Sequence, residues 1–146
     1  MKCFGVFLLA AAATLPLAPG AQGQDKKVSD EQITKLLAGK WIQEEVKKGY
    51  LMRVVLTVDK DGTWAAEAKL EIDLPDKKQS LEFISSGTWK VKDGKIEFTF
   101  KNSSGPKPKF NPDIETVIEI NETTLRTVSE HDKKKETVWT RAKAKS

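Results

Sequence analysis

The chain has 146 residues and a formal charge of +4, with one cysteine, Cys3, and one histidine, His131. That length suits one domain, and a lone cysteine at the third position excludes a disulfide framework or a cysteine-ligated metal in the rest of the chain. The basic excess is mild and spread out. Its densest run, Lys133 to Lys135, is flanked by Asp132 and Glu136 and lacks interleaved aromatic residues, which excludes a base-stacking nucleic-acid platform.

Residues 1–23 have the pattern of a secretory signal peptide: a basic Lys2, an apolar run from Phe4 to Leu15, and a small-residue end containing proline. Ala21, Gln22 and Gly23 place the cut after Gly23, because the other small-residue site, Ala18-Pro19-Gly20, sets a proline beside the cleaved bond. The apolar run falls short of the roughly 20 residues that span a bilayer. Cys3 precedes that run, whereas a lipid-modified cysteine would follow it. The mature chain is therefore expected to be secreted or periplasmic, without a membrane anchor, and monomeric.

Residues 24–28 form a polar leader. Ser29 then has the place of a helix N-cap, with Gln32 three residues on. Ile33, Leu36 and Leu37 share a helical face, and Gly39 stops the helix. After Gly39 the period changes to alternation, the mark of a half-buried strand. A first strand covers residues 40–46. Met52, Val54, Leu56 and Val58 alternate, a turn follows at Asp59 to Gly62, and Trp64, Ala66, Ala68, Leu70 and Ile72 resume the alternation. Leu81, Phe83, Ser85, Gly87, Trp89 and Val91 share the next face, and Asp93-Gly94 turns into Ile96, Phe98 and Phe100. Ile114, Thr116, Ile118 and Ile120 are read as the inner face of the following strand, with further strands at 124–130 and 136–141.

About eight short strands joined by hairpin turns predict an all-β fold, a closed antiparallel up-and-down barrel with a short N-terminal helix, over residues 29–142. Residues 143–146 are a basic tail. Two connections are longer, residues 73–80 and 102–113. The second carries three prolines and Phe110, and is either a flap over the barrel mouth or a plain surface loop. Asn102-Ser103-Ser104 and Asn121-Glu122-Thr123 fit the glycosylation sequon and lie in predicted turns.

Catalysis finds little support in these residues. His131 sits in a charged turn that offers no held geometry for a general base. No zinc, calcium or phosphate-loop motif is present. Glu44 and Glu45 are adjacent on a strand and point to opposite faces, so they cannot flank one bond. No catalytic residue, metal or cofactor is assigned. The inward polar positions are more informative. Gln43 and Glu45 follow Trp41, Thr127 and Ser129 follow Leu125, and Thr137 and Arg141 flank Trp139 at strand spacing, while Ser85 and Thr116 interrupt apolar faces. Such groups either bond to backbone near strand ends or orient a ligand in a cavity.

Gly39-Lys40-Trp41 after a short helix resembles the G-x-W at the start of the lipocalin barrel, and Trp139-Thr140-Arg141 resembles the terminal-strand arginine of that family. The resemblance spans about a hundred residues, without the Thr-Asp-Tyr motif or the lipocalin cysteines. It is similar in particular to the short secreted lipocalin-like domains found in large sets in planctomycete bacteria, which share the signal peptide, the L-x-G-x-W stretch and repeated Asp-Gly turns. It implies that Gly39, Trp41 and Arg141 close one end of the barrel, the arginine packing over Trp41.

The expected function is non-catalytic binding of a small, partly apolar ligand inside the barrel. Leu56, Trp64, Phe83, Trp89 and Phe98 would form the walls, and Thr127 or Ser129 would orient it. The alternative is a filled barrel acting on an unknown protein, as an interaction module or protease inhibitor, through the 102–113 loop.

Overall fold

The computed structural model describes residues 28–143. The expected signal peptide, its cut after Gly23, nearly all of the leader and the last residues of the basic tail lie outside the described residues.

One helix, α1 (Asp30–Leu37), precedes eight strands: β1 (Gly39–Lys47), β2 (Tyr50–Val58), β3 (Thr63–Asp73), β4 (Lys78–Lys92), β5 (Lys95–Ser103), β6 (Asp113–Ile120), β7 (Thr124–Ser129) and β8 (Glu136–Arg141). Every sequential pair is antiparallel, and β8 returns to β1, so the sheet closes into a barrel. Closure leaves few edges to template aggregation. Among the described residues, no helix is long and apolar enough to cross a membrane.

Local chemistry starts the helix. The Ser29 hydroxyl accepts from the Gln32 backbone N–H at 3.1 Å, and Asp30 and Glu31 occupy the first turn, where acids complement the helix dipole. Asp30 also reaches across the molecule. Its carboxylate accepts from the backbone N–H groups of Asp93 and Gly94, at 2.9 and 2.6 Å, in the β4–β5 turn. Both turn residues have positive φ, 55° and 77°, the backbone that a two-residue hairpin matched to strand twist requires. Ile33 and Leu37, both fully buried, face the barrel.

Helix α1 and the β2–β3, β4–β5 and β6–β7 turns share one end of the barrel. The β1–β2, β3–β4, β5–β6 and β7–β8 connections share the other. The first end is shut by a packed seam. Trp41, on β1, is fully buried, and its indole N–H donates to the Leu37 carbonyl at 2.8 Å. The Arg141 guanidinium lies 4.2 Å from the Trp41 ring centroid. Its Nη1 donates to the Ala38 carbonyl at 2.9 Å, its Nη2 to the Leu36 carbonyl, and its Nε to the Glu122 carbonyl at 2.7 Å. A helix C-terminus exposes carbonyls with no partner inside the helix. Here tryptophan and arginine supply the donors, and the guanidinium charge complements the helix dipole. Gly39 is constrained twice over: its φ is +134°, and a Cβ there would overlap Arg141 Nη1.

The inward faces of β1 to β5, β7 and β8 follow the alternation in the sequence. Strand β6 does not. Its pairing with β7 shifts between Val117 and Glu119, which leaves Ile118 as the extra residue of a β-bulge. One inserted residue exchanges the faces on either side of it. Val117 and Ile120 are buried, Ile118 is 46% exposed, and Asp113 and Glu115 point inward opposite Phe98 and Ile96. The expectation that Ile114, Thr116 and Ile118 line the core is thus corrected. Thr116 faces outward and donates from its hydroxyl to Glu130 at 2.6 Å. The expected 73–80 loop also contracts, because β4 begins at Lys78 and a tight turn closed by Leu74 and Lys77 replaces it.

Trp41→Ala is expected to lower stability by about 3–5 kcal/mol in urea unfolding, since it empties a fully buried indole site and frees the Leu37 carbonyl. An unchanged midpoint would show that other contacts close this end.

Candidate functional site

The barrel interior is graded from one end to the other. Next to the sealed end, Leu56, Val58, Trp64, Ile96 and Leu125 form an apolar core with Trp41. Above them lies a cavity of about 210 Å³, walled chiefly by Leu56, Trp64, Ile96, Phe98, Phe100 and Trp139. Trp64 organises this wall, meeting Phe98 and Phe100 edge to face at centroid distances of 5.8 and 4.8 Å. Such geometry sets the positive edge of one ring against the negative face of the next. The cavity adjoins two hollows at the open end. One, of about 370 Å³, lies between Phe83, Ser85 and Phe100 on the strands and residues 105–110 of the β5–β6 loop. The other, of about 820 Å³, lies between β1 and the β7–β8 loop and is lined by groups of both charges.

Four polar side chains project from the wall of the inner cavity: Ser85, Asp113, Glu115 and Thr127. Thr127 is 2% exposed, and neither its hydroxyl oxygen nor Glu115 Oε2 has a hydrogen-bond partner among the described residues. Leaving such groups unpaired costs roughly 1–3 kcal/mol each. Burial pushes the Glu115 carboxyl up to about 7, the Asp113 carboxylate two residues away adds to the shift, and Thr127 and Lys135 oppose it. The Thr127 hydroxyl tempers the shift by proximity, without meeting hydrogen-bond geometry. Burial raises Asp113 as well, against the attraction of His131 and Lys135.

The β5–β6 loop is held over this end. The Asn111 carboxamide replaces a strand neighbour for Phe100, accepting from its N–H and donating to its carbonyl, both at 3.0 Å. Phe110 stacks on His131, with centroids 3.7 Å apart and planes 6° from parallel. Two loops on opposite sides of the mouth thus meet through one aromatic contact. On the β7–β8 side Glu130 fixes the base of the loop, accepting from Thr116, Lys95 and Lys133. These bonds hold its carboxyl down to about 2.

The proposed ligand residues fall in different places. Leu56, Trp64, Phe98 and Thr127 line the inner cavity together. Phe83 lines the hollow beneath the β5–β6 loop, and Ser129 lines the mouth hollow, where its hydroxyl accepts from the His131 N–H at 3.1 Å. Trp89 stands apart from the cavity, packed on the core near the sealed end with its indole N–H donating to the Asp59 carbonyl at 3.0 Å. Gly39, Trp41 and Arg141 meet at the seam described above. Sequence reasoning missed Asp113 and Glu115, because it read the acids as facing solvent and β6 in the opposite phase. Their spacing with Val117 is itself alternating, and that was the available signal. Among the described residues, no group of three or more His, Cys, Asp or Glu is arranged to hold a metal ion.

Fold and cavity together define a closed eight-stranded antiparallel barrel, sealed at the helix end and hollow toward the loops, an architecture compatible with a lipocalin-like fold. No protein-family model matches the chain, and no curated protein is significantly similar to it in sequence.

Glu115 makes stability depend on pH in a definite direction. The folded state keeps its proton up to about pH 7, whereas an unperturbed glutamate releases it near 4.5. Between those values the folded state binds more protons, so this residue's contribution falls as pH rises through the window and then levels off, by at most about 3 kcal/mol. Glu115→Gln is expected to flatten that slope and to be the more stable form at pH 8, as measured by urea unfolding at pH 5 and 8. An unchanged slope in the variant would assign it to another group.

Proposed function

We propose that this protein is an exported, non-catalytic, lipocalin-like barrel that binds a small, partly apolar molecule. The observation that carries this reading is the aromatic cavity of about 210 Å³ with two buried, unpartnered polar atoms in its wall. A barrel packed only for stability favours apolar side chains there. Dry walls with a few fixed polar groups are the usual make-up of a ligand pocket. The volume lies below the roughly 300 Å³ at which drug-sized pockets begin, so the ligand body is a single ring or a short chain.

The lipocalin-like assignment is supported by the Gly39–Trp41–Arg141 seam and by the up-and-down order of the strands. The non-catalytic assignment is supported by His131, whose ring is exposed and stacked on Phe110 and makes no side-chain hydrogen bond among the described residues. Export is supported by the amino-terminal sequence pattern. The alternative, a filled barrel contacting a protein through the β5–β6 loop, has less support because the interior is hollow.

Native mass spectrometry of the protein purified from its source is expected to show a co-purifying small molecule. Binding of small aromatic probes is expected to quench tryptophan fluorescence, since Trp64 and Trp139 line the cavity. Ala66→Phe, which narrows the cavity, is expected to abolish quenching while circular dichroism stays unchanged. No occupancy and no quenching, together with loss of a protein partner on Phe110→Ala, would replace this reading with the interaction module.

A further inference from the structure

Among the described residues, the inner cavity is lined by two carboxyl groups and by no basic side chain. Asp113 and Glu115 share the inward face of β6, and Thr127 lies diagonally across on β7, where Val117 pairs with Thr127 and Glu115 with Ser129. No lysine or arginine makes an ion pair with either acid among the described residues. Asp113 and Glu115 also border the outer hollow, which they share with Glu44 and Glu45 on β1, Lys109 in the β5–β6 loop, His131, Asp132 and Lys135 in the β7–β8 loop, and Glu136 on β8. Those neighbours line the outer hollow rather than the inner cavity.

We infer that the barrel selects a small organic amine, its protonated nitrogen held between the Glu115 carboxylate and the Thr127 hydroxyl and its apolar body lying against Trp64, Phe98 and Trp139. The inference rests on the ligand-binding reading above and names the ligand class. Three features lead to it. The Glu115 carboxylate, once ionised, can only accept, and the Thr127 hydroxyl beside it can accept as well as donate, so one donor head group would satisfy both buried atoms. A carboxylate in an apolar wall is costly unless an opposite charge joins it, and a second carboxyl two residues away disfavours an anionic ligand. Finally, aromatic faces around the site attract a cation through their ring quadrupoles. Asp113, nearer the mouth, adds long-range attraction along the path inward.

The decisive experiment titrates the full mature protein by calorimetry and tryptophan quenching with matched series of one body and three heads: benzyl and n-hexyl amines, alcohols and carboxylates. At pH 8 the amines are expected to bind at least about tenfold more tightly than the alcohols or carboxylates of the same body. Glu115→Gln and Thr127→Val are each expected to erase most of that preference. Amine affinity is expected to rise from pH 6 to 8 in the natural protein, with proton release on binding, and to lose that rise in Glu115→Gln. A merely structural Glu115 would move none of these readouts. Should one variant fail to fold, the other and the pH profile of the natural protein decide the matter. Equal binding of alcohols or carboxylates would overturn the amine inference and leave the binding reading standing. Absence of binding across all three series would overturn both.

Discussion

One guanidinium ties the two ends of the described chain together. Arg141, the last residue of β8, donates to the carbonyls of Leu36 and Ala38 at the end of α1, to Glu122 in the β6–β7 turn, and covers the buried ring of Trp41 at the start of β1. Helix, first strand, last strand and an intervening turn therefore meet at a single side chain. A planar fork with five fixed donors suits this position, and a lysine could not reach so many acceptors at once. The direct ladder between β1 and β8 is short, running from Trp41–Arg141 to Ile42–Thr140. The seam accordingly carries much of the work of closure that hydrogen bonds between strands perform elsewhere in the barrel.

Sealing one end lets the other remain open. Toward the loops, the ladders that close the barrel thin out. β6 pairs with β5 only from Lys95 to Phe98, and beyond that point the Asn111 side chain substitutes for a strand. Phe110 and His131 bridge the mouth by stacking. These are contacts between loops on a rigid wall, and loops are where local opening costs least. The architecture thus joins a stiff floor, a walled chamber and a lightly fastened rim.

The chamber's electrostatics follow from the same gradient. Near the floor the inward residues are wholly apolar. One layer higher, Glu115 is half-buried in the cavity wall, and burial pushes its carboxyl up to about 7. Glu130 lies a strand away on the outer face. Three donors, Thr116, Lys95 and Lys133, hold its carboxyl down to about 2. The two glutamates thus differ because one faces the cavity and the other is met by three donors.

The strand number, the hairpin order and the helix cap were legible in the sequence because each is written locally, whereas the Gly39–Trp41–Arg141 seam was expected only from the resemblance to lipocalins. Alternation of period two marks a strand with one dry face, Asp-Gly marks a tight hairpin, and a serine before an apolar helical stripe marks its start. Leu56, Trp64, Phe98 and Thr127 were placed on inner faces by that same alternation. The phase of β6 was not legible, since Asp113-Ile114-Glu115-Thr116-Val117-Ile118 offers a plausible apolar face on either side. Only the ladder to β7 decides it, by expelling Ile118 into a bulge and turning two acids inward. The distance of Trp89 from the cavity and the placement of the β5–β6 loop over the mouth were likewise settled by long-range contacts. Sequence alone determined which segments become strands and how they follow one another, because those properties depend on neighbours in the chain. Tertiary structure alone decided which charges are buried, because burial depends on neighbours in space.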